Sequence, residues 1–184
     1  MVSGKVCHAL WVSPRYVYNP LFASHIFVLH PPCAATTMTA TIDILRDLVG
    51  FATVSRDPNR ALIDYVADRL AATDADVRII PDEDGGKANL FATTGPRDRG
   101  GVMLSGHTDV VPVDGQEWTV PAFACTEADG RLYGRGTADM KGFVAAALNA
   151  FEVAAGTELA TPLHLALSYD EELGCLGVRS LIDM

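Results

Sequence analysis

Three short stretches hold residues whose types and spacing could do chemistry: Ser105-Gly106-His107-Thr108-Asp109, the glycine-rich run Gly134 to Gly142 around Asp139, and Asp170-Glu171-Glu172. One imidazole among several carboxylates suits a hard-to-borderline divalent cation such as Zn²⁺, Co²⁺ or Mn²⁺. His107 and Asp109 stand two residues apart, so on an extended chain they point to the same side. The Asp109 carboxylate can then accept from one imidazole nitrogen and leave the other for a metal. A histidine at a strand end that bonds a backbone carbonyl is the plainer reading of the same pair. Asp139 suits a helix N-cap, but a cap needs none of the glycines at 134, 136 and 142. Those glycines permit positive φ or a close approach of backbone to a site, and their spacing is not that of a Walker loop. Three successive acids repel unless cations compensate them. A charge run is ordinarily a solvated loop, but this one leaves the carboxyl end of an apolar strand, where open α/β sheets gather ligands.

The elements that must position these residues can be read from periodicity. Ile42, Leu45, Leu48, Val49 and Ala52 fall on one face of a helix opening at Met38. A second helix is expected from Asp57-Pro58, with Asp57 as cap and a stripe from Ala61 to Leu70. Strands are expected near Val77–Ile80 and Asn89–Thr93, separated by the acidic turn Asp82–Gly86. Gly101–His107 and Leu163–Ser168 read as buried strands, the first apolar enough to be covered on both faces. A hairpin with Asp129-Gly130 at its turn spans Phe123 to Tyr133. Met140–Ala155 forms a helix, and another begins at Cys175. This alternation predicts an α/β layer architecture with a mainly parallel central sheet flanked by helices.

The chain has 184 residues, 49% hydrophobic and 20% charged, enough to bury one core. Its net charge of −9 argues against a nucleic-acid partner. Lys5 and Arg15 precede Ile42 without any acid, which leaves about −11 on the remainder. The four cysteines (Cys7, Cys33, Cys125 and Cys175) show no CxxC pair and are expected to be reduced, buried thiols. No apolar run is long enough to span a bilayer, and the N-terminus makes a poor signal peptide. A cytoplasmic protein with no membrane partner is the expectation. Residues 1–37, rich in Pro, aromatics and His, differ in character from the rest of the chain and are expected to be a non-native or disordered extension upstream of residues 38–184, with Met38 as the natural start. A small metal site at Cys7, His8, His30 and Cys33 is the alternative, although its spacing matches no compact zinc pattern.

Taken in order, Gly106-His-Thr-Asp-Val-Val-Pro-Val113, Gly134-Arg-Gly-Thr-Ala-Asp-Met-Lys-Gly142 and Asp170-Glu-Glu172 resemble the M20 family of dinuclear zinc amidohydrolases. Asp114-Gly-Gln-Glu-Trp118 through Phe123, with Ser168 to Gly174, look most like its acetylornithine deacetylase branch. The resemblance runs from about Met38 onward and implies part of a zinc-peptidase-like catalytic domain. It implies two divalent ions, Zn²⁺ or Co²⁺, with His107 binding one, Glu172 the other and Asp139 bridging both. It makes Glu171 the general base and Asp109 the residue that orients His107. The implied substrate is a small N-acyl amino acid, N2-acetylornithine, cleaved to ornithine and acetate in arginine biosynthesis. A desuccinylase, aminoacylase or carboxypeptidase of the same family, or an inactive partial chain, are the alternatives. Family members carry a later acidic ligand, a distal His and an inserted dimerisation domain. These 184 residues are therefore expected to hold two of three ligands per metal, and the parent enzyme to be a homodimer.

Overall fold

The computed structural model describes the backbone of residues 34–183 and the side chains of residues 38–183. In chain order its elements are α1 (Ala34–Gly50), α2 (Arg60–Leu70), β1 (Asp76–Pro81), β2 (Ala88–Thr94), β3 (Val102–His107), β4 (Thr126–Ala128), β5 (Arg131–Tyr133), α3 (Lys141–Ala155), β6 (Leu163–Ser168) and α4 (Arg179–Ile182). The extension and the Cys7, His8, His30 and Cys33 site lie outside the described residues, except that α1 begins four residues before Met38.

The α/β layering holds, but the main sheet runs β1-β2-β6-β3 and is mixed rather than mainly parallel. β1 pairs antiparallel with β2, and β2 antiparallel with β6; β3 and β6 are the parallel pair. Connection length explains the difference. Residues 82–87 make a tight turn in which Gly85 has φ +73° and the Lys87 amide donates to Asp82 Oδ1 at 3.0 Å. A turn that short joins antiparallel neighbours, whereas parallel strands need a long crossover. The path from β3 to β6, through the β4–β5 hairpin and α3, is such a crossover. Its register sets His107 opposite Ser168, so the first and third polar clusters leave the sheet side by side.

One core joins the helices to this sheet. Ile44, Leu45, Leu48 and Val49 of α1 pack with Val144, Leu148 and Phe151 of α3 and with Leu165 and Leu167 of β6. Ala52, expected on the α1 stripe, lies past the end of the helix and is exposed. β3 is not covered on both faces: Val102 and Met103 are 58% and 54% exposed, because β3 ends the sheet among the described residues. Only its carboxyl end, Gly106 and His107, is buried. The β4–β5 hairpin turns at Asp129 (φ +50°) and Gly130 (φ +70°), as a two-residue turn of the primed class requires. The helix expected from Cys175 is shorter, Arg179–Ile182, because the amides of Gly174 and Cys175 fold back onto the Glu171 carbonyl. Cys125 is half-buried and Cys175 exposed; both are free, so these thiols are unpaired but not buried as expected. No helix among the described residues is long and apolar enough to cross a membrane.

α2 starts at Arg60 rather than at the expected Asp57-Pro58, and the Asn59 side chain makes no cap bond. Its amide is committed elsewhere. Nδ2 donates to the Ala88 carbonyl and to Thr108 Oγ1, each at 2.9 Å, while Oδ1 accepts from the Ala88 amide at 2.8 Å. Asn59 thus pins the start of α2 to β2 and to the turn after β3. Stranding a buried polar group costs about 1–3 kcal/mol. Asn59→Ala should therefore lower stability by about 2–4 kcal/mol in chemical denaturation. Asn59→Asp, which keeps the acceptor but loses both donors, should be similarly harmful; parent-like stability in both variants would show that the three bonds do not hold the fold.

Candidate metal centre

The parallel β3–β6 pair delivers His107 and the acid run to one edge, and the loop before α3 brings Asp139 across from the third side. Ligand atoms of His107, Asp139 and Glu172 lie within 4.8 Å of one another. His107 is 5% exposed, whereas the Asp139 side chain is 75% exposed and stands on the solvent side of the group. Glu171 Oε2 is 3.7 Å from His107 Nε2. The five residues to which the resemblance gives site roles, His107, Asp109, Asp139, Glu171 and Glu172, lie together here, with Asp109 behind the imidazole.

The tautomer of His107 is set by its partners. Nδ1 donates to the Asp109 backbone carbonyl at 2.9 Å, with the Asp109 carboxylate further off at 3.4 Å. The plain strand-end bond and the carboxylate contact thus coexist, the former being the shorter. Nε2 faces Asp139 Oδ1 at 3.2 Å. In a neutral ring with Nδ1 protonated, the Nε2 lone pair would point at carboxylate oxygens, which is repulsive unless a cation lies between them. Burial alone would favour the neutral ring, but the Asp109 carboxylate and carbonyl and the Asp139 carboxylate raise the His107 pKa to about 9. Burial, and then the charge of Asp139, push Glu172 upward from the usual carboxylate range. The donor set is one imidazole nitrogen and two carboxylates, held close and electron-rich. It fits a divalent ion of the zinc type.

Asp109 does more than face the imidazole. Its Oδ2 accepts from Ser55 Oγ at 2.7 Å and from the Glu172 amide at 3.3 Å, and its Oδ1 accepts from the Glu171 amide at 3.1 Å. Burial would raise its pKa, but the bonds from His107, Ser55 and the two amides hold it below the usual range. The acid run is split. Asp170 turns away, its backbone in the left-handed region (φ +53°), and pairs with Lys87 Nζ at 2.6 Å. Lys87, Ser55 and the fully buried Lys141 are site residues that sequence reasoning missed. Lys141 Nζ donates to the Phe51 carbonyl at 2.6 Å; burial pulls its pKa down to about 7 against the opposing charge of Asp109.

The glycines around Asp139 do what their type suggested. Gly136 has φ +86°, and a Cβ on Gly142 would collide with the Thr137 carbonyl oxygen. Asp139 is not a cap: Met140 occupies that position, and the Asp139–Met140 peptide bond is cis. Beside the cluster lies a cavity of about 250 Å³, lined by Ser105, His107, Met140, Ser168, Glu171 and Cys175.

Fold and site together make part of a mixed α/β domain whose sheet edge carries an imidazole–carboxylate cluster able to hold a divalent ion. Residues 103–184 match the sequence model of peptidase family M20/M25/M40. The acetylornithine deacetylase of Proteus mirabilis (strain HI4320) is 39% identical over 145 residues, 75% of this chain and 37% of that protein. The acetylornithine deacetylase of Pasteurella multocida (strain Pm70) is 43% identical over 125 residues, 67% of this chain and 32% of that protein. The crystal structure of human carnosine dipeptidase 1 superposes with a TM-score of 0.68 at 26% identity, covering 81% of this chain and 36% of that one. Over residues 103–184 the chain is therefore similar to the M20 peptidases, and its fold matches part of the dipeptidase structure. It spans about a third of the length of these curated relatives, 37% of the first.

In the chain stripped of divalent ions, a raised His107 pKa has a defined sign. The folded value of about 9 lies above the unfolded one near 6.5, so the protonated ring contributes stability fully below about pH 6.5 and loses that contribution as pH rises through 9. Asp109→Asn should bring the His107 titration, tracked by NMR of the ring carbons, well below 9. A titration that stays near 9 would exclude Asp109 as the cause.

Proposed function

We propose that this chain contributes the metal-binding half-site of a metal-dependent amide hydrolase that removes the acetyl group from N2-acetylornithine to give ornithine and acetate. The observation that carries the reading is the convergence of His107, Asp139 and Glu172 within 4.8 Å, with Glu171 beside them. In this reading His107 would hold one ion and Glu172 a second, with Asp139 serving as a ligand to both. When bound, two zinc or cobalt ions supply a water of lowered pKa and polarisation of the scissile carbonyl. Glu171 is the general base: its carboxylate takes the proton of the attacking water and returns it to the departing amine. Asp109 holds the His107 ring and the amides of Glu171 and Glu172, so the base and the ligands do not have to be ordered during the reaction. The identity to two acetylornithine deacetylases supports the substrate. The same reading places the enzyme in the cytoplasm, in arginine biosynthesis and as a homodimer.

The test is made in the full protein that carries this chain. Glu171→Ala should lower ornithine release from N2-acetylornithine by about 100-fold or more while zinc content stays near that of the parent. His107→Ala should instead deplete bound zinc, measured by elemental analysis. Normal turnover in Glu171→Ala would remove that residue from the role of base. The likeness to human carnosine dipeptidase 1 makes a dipeptide the competing substrate. Faster cleavage of carnosine than of N2-acetylornithine would replace the acetyl reading.

A further inference from the structure

The three acids after β6 are used in two ways, and the split has a cause outside the cluster. Glu171 and Glu172 face His107, while Asp170 is drawn back onto Lys87, the residue before β2. All three protons of the Lys87 ammonium are used: Asp170 Oδ1 at 2.6 Å, Asp170 Oδ2 at 2.7 Å and the Ser55 carbonyl at 2.6 Å. The two side chains are only 17% and 12% exposed, unlike the open ion pairs elsewhere on the surface. Asp170 also occupies the left-handed region, which L-residues other than Asn and Asp seldom adopt, and its carbonyl accepts from the Leu176 amide at 3.1 Å to close the turn. Ser55 joins this contact to the other anchor of the acid run, since its hydroxyl donates to Asp109.

We infer that Lys87 is a positioning residue of the metal centre: by clamping Asp170 it fixes the turn from which Glu171 and Glu172 reach His107 and Asp139. The inference rests on the metal-centre reading above for its functional part and on the geometry alone for its structural part. Asp109 holds the two glutamate amides from beneath, and Lys87 holds the preceding residue from the side. Without Lys87 the Asp170 carboxylate is buried with no cation, and the turn is free to swing that acid toward the cluster. Groups that hold metal ligands in place from behind commonly change metal affinity by about 10–100-fold.

The experiment uses the 184-residue chain with zinc as the probe. Zinc affinity is read by competition with a chromophoric chelator, and backbone order by amide hydrogen exchange of residues 169–176. Lys87→Met should weaken zinc by about 10–100-fold and speed exchange in that segment about 10-fold or more, whereas Lys87→Arg should recover most of both. Arg69→Met breaks a comparable half-buried pair, Arg69–Glu152 between α2 and α3, and should lower stability with zinc affinity unchanged. If Arg69→Met weakens zinc as much as Lys87→Met does, the effect is one of general stability and the inference falls. Parent-like exchange and affinity in Lys87→Met also overturn it. If the parent chain binds no zinc, the functional part of the inference falls for this chain, while the exchange of residues 169–176 still decides whether Lys87 holds the turn. Should Lys87→Met not fold, Asp170→Asn, which keeps the shape and tolerates the left-handed backbone, is expected to show faster exchange; parent values there count against the clamp.

Discussion

The buried carboxylate of Asp109 is the contact on which the rest of the site depends. It is 2% exposed, and a charge so placed persists only when its lone pairs are matched by donors. Its surroundings come from three separate stretches: the Ser55 hydroxyl after α1 and the Glu171 and Glu172 amides after β6 donate to it, and the His107 ring at the end of β3 lies 3.4 Å away. Each stretch is therefore held in place by the others. The same carboxylate that orders the acids also raises the proton affinity of the imidazole they face.

That arrangement can exist because the sheet brings its members to one edge. The parallel pairing of β3 with β6 puts His107 and Ser168 in register, so residues about sixty positions apart leave the sheet at one edge. The Val54–Val110 bridge lays the segment after α1 alongside the exit of β3, which places Ser55 beneath Asp109. Asn89 on β2 ties down the far end of the acid turn through Gly177, Ser180 and the Tyr169 amide. The hydrophobic core supplies the rigid base, and polar cross-links set the fine placement.

Much of this is legible in the sequence, and the remainder has a common physical origin. The three polar clusters are readable because each comes after a short run whose periodicity names it as strand or loop. The glycines near Asp139 are readable because a cap does not need them. Sheet direction is where the sequence misleads: strand and helix alternation points to parallel pairing, while the short Asp82–Gly86 turn demands an antiparallel pair. Asn59, Ser55, Lys87 and Lys141 leave no local trace. Their partners lie far off in the chain, Lys87 and Asp170 being 83 residues apart, and a lone lysine or asparagine carries no period. Asp57 before a proline has the pattern of a helix start, but the demand for Asn59 at the β2 contact prevails over that local preference.

The direction of the His107 ring has a thermodynamic consequence of its own. Below about pH 9 its Nε2 carries a proton in the absence of a cation, and that proton occupies the lone pair a metal ion would take. In the metal reading a cation would therefore enter by exchange rather than by addition, and each ion seated there would return a proton to the buffer. The heat of loading would then depend on the ionisation enthalpy of the buffer, and acidification would act as a direct competitor for a single atom.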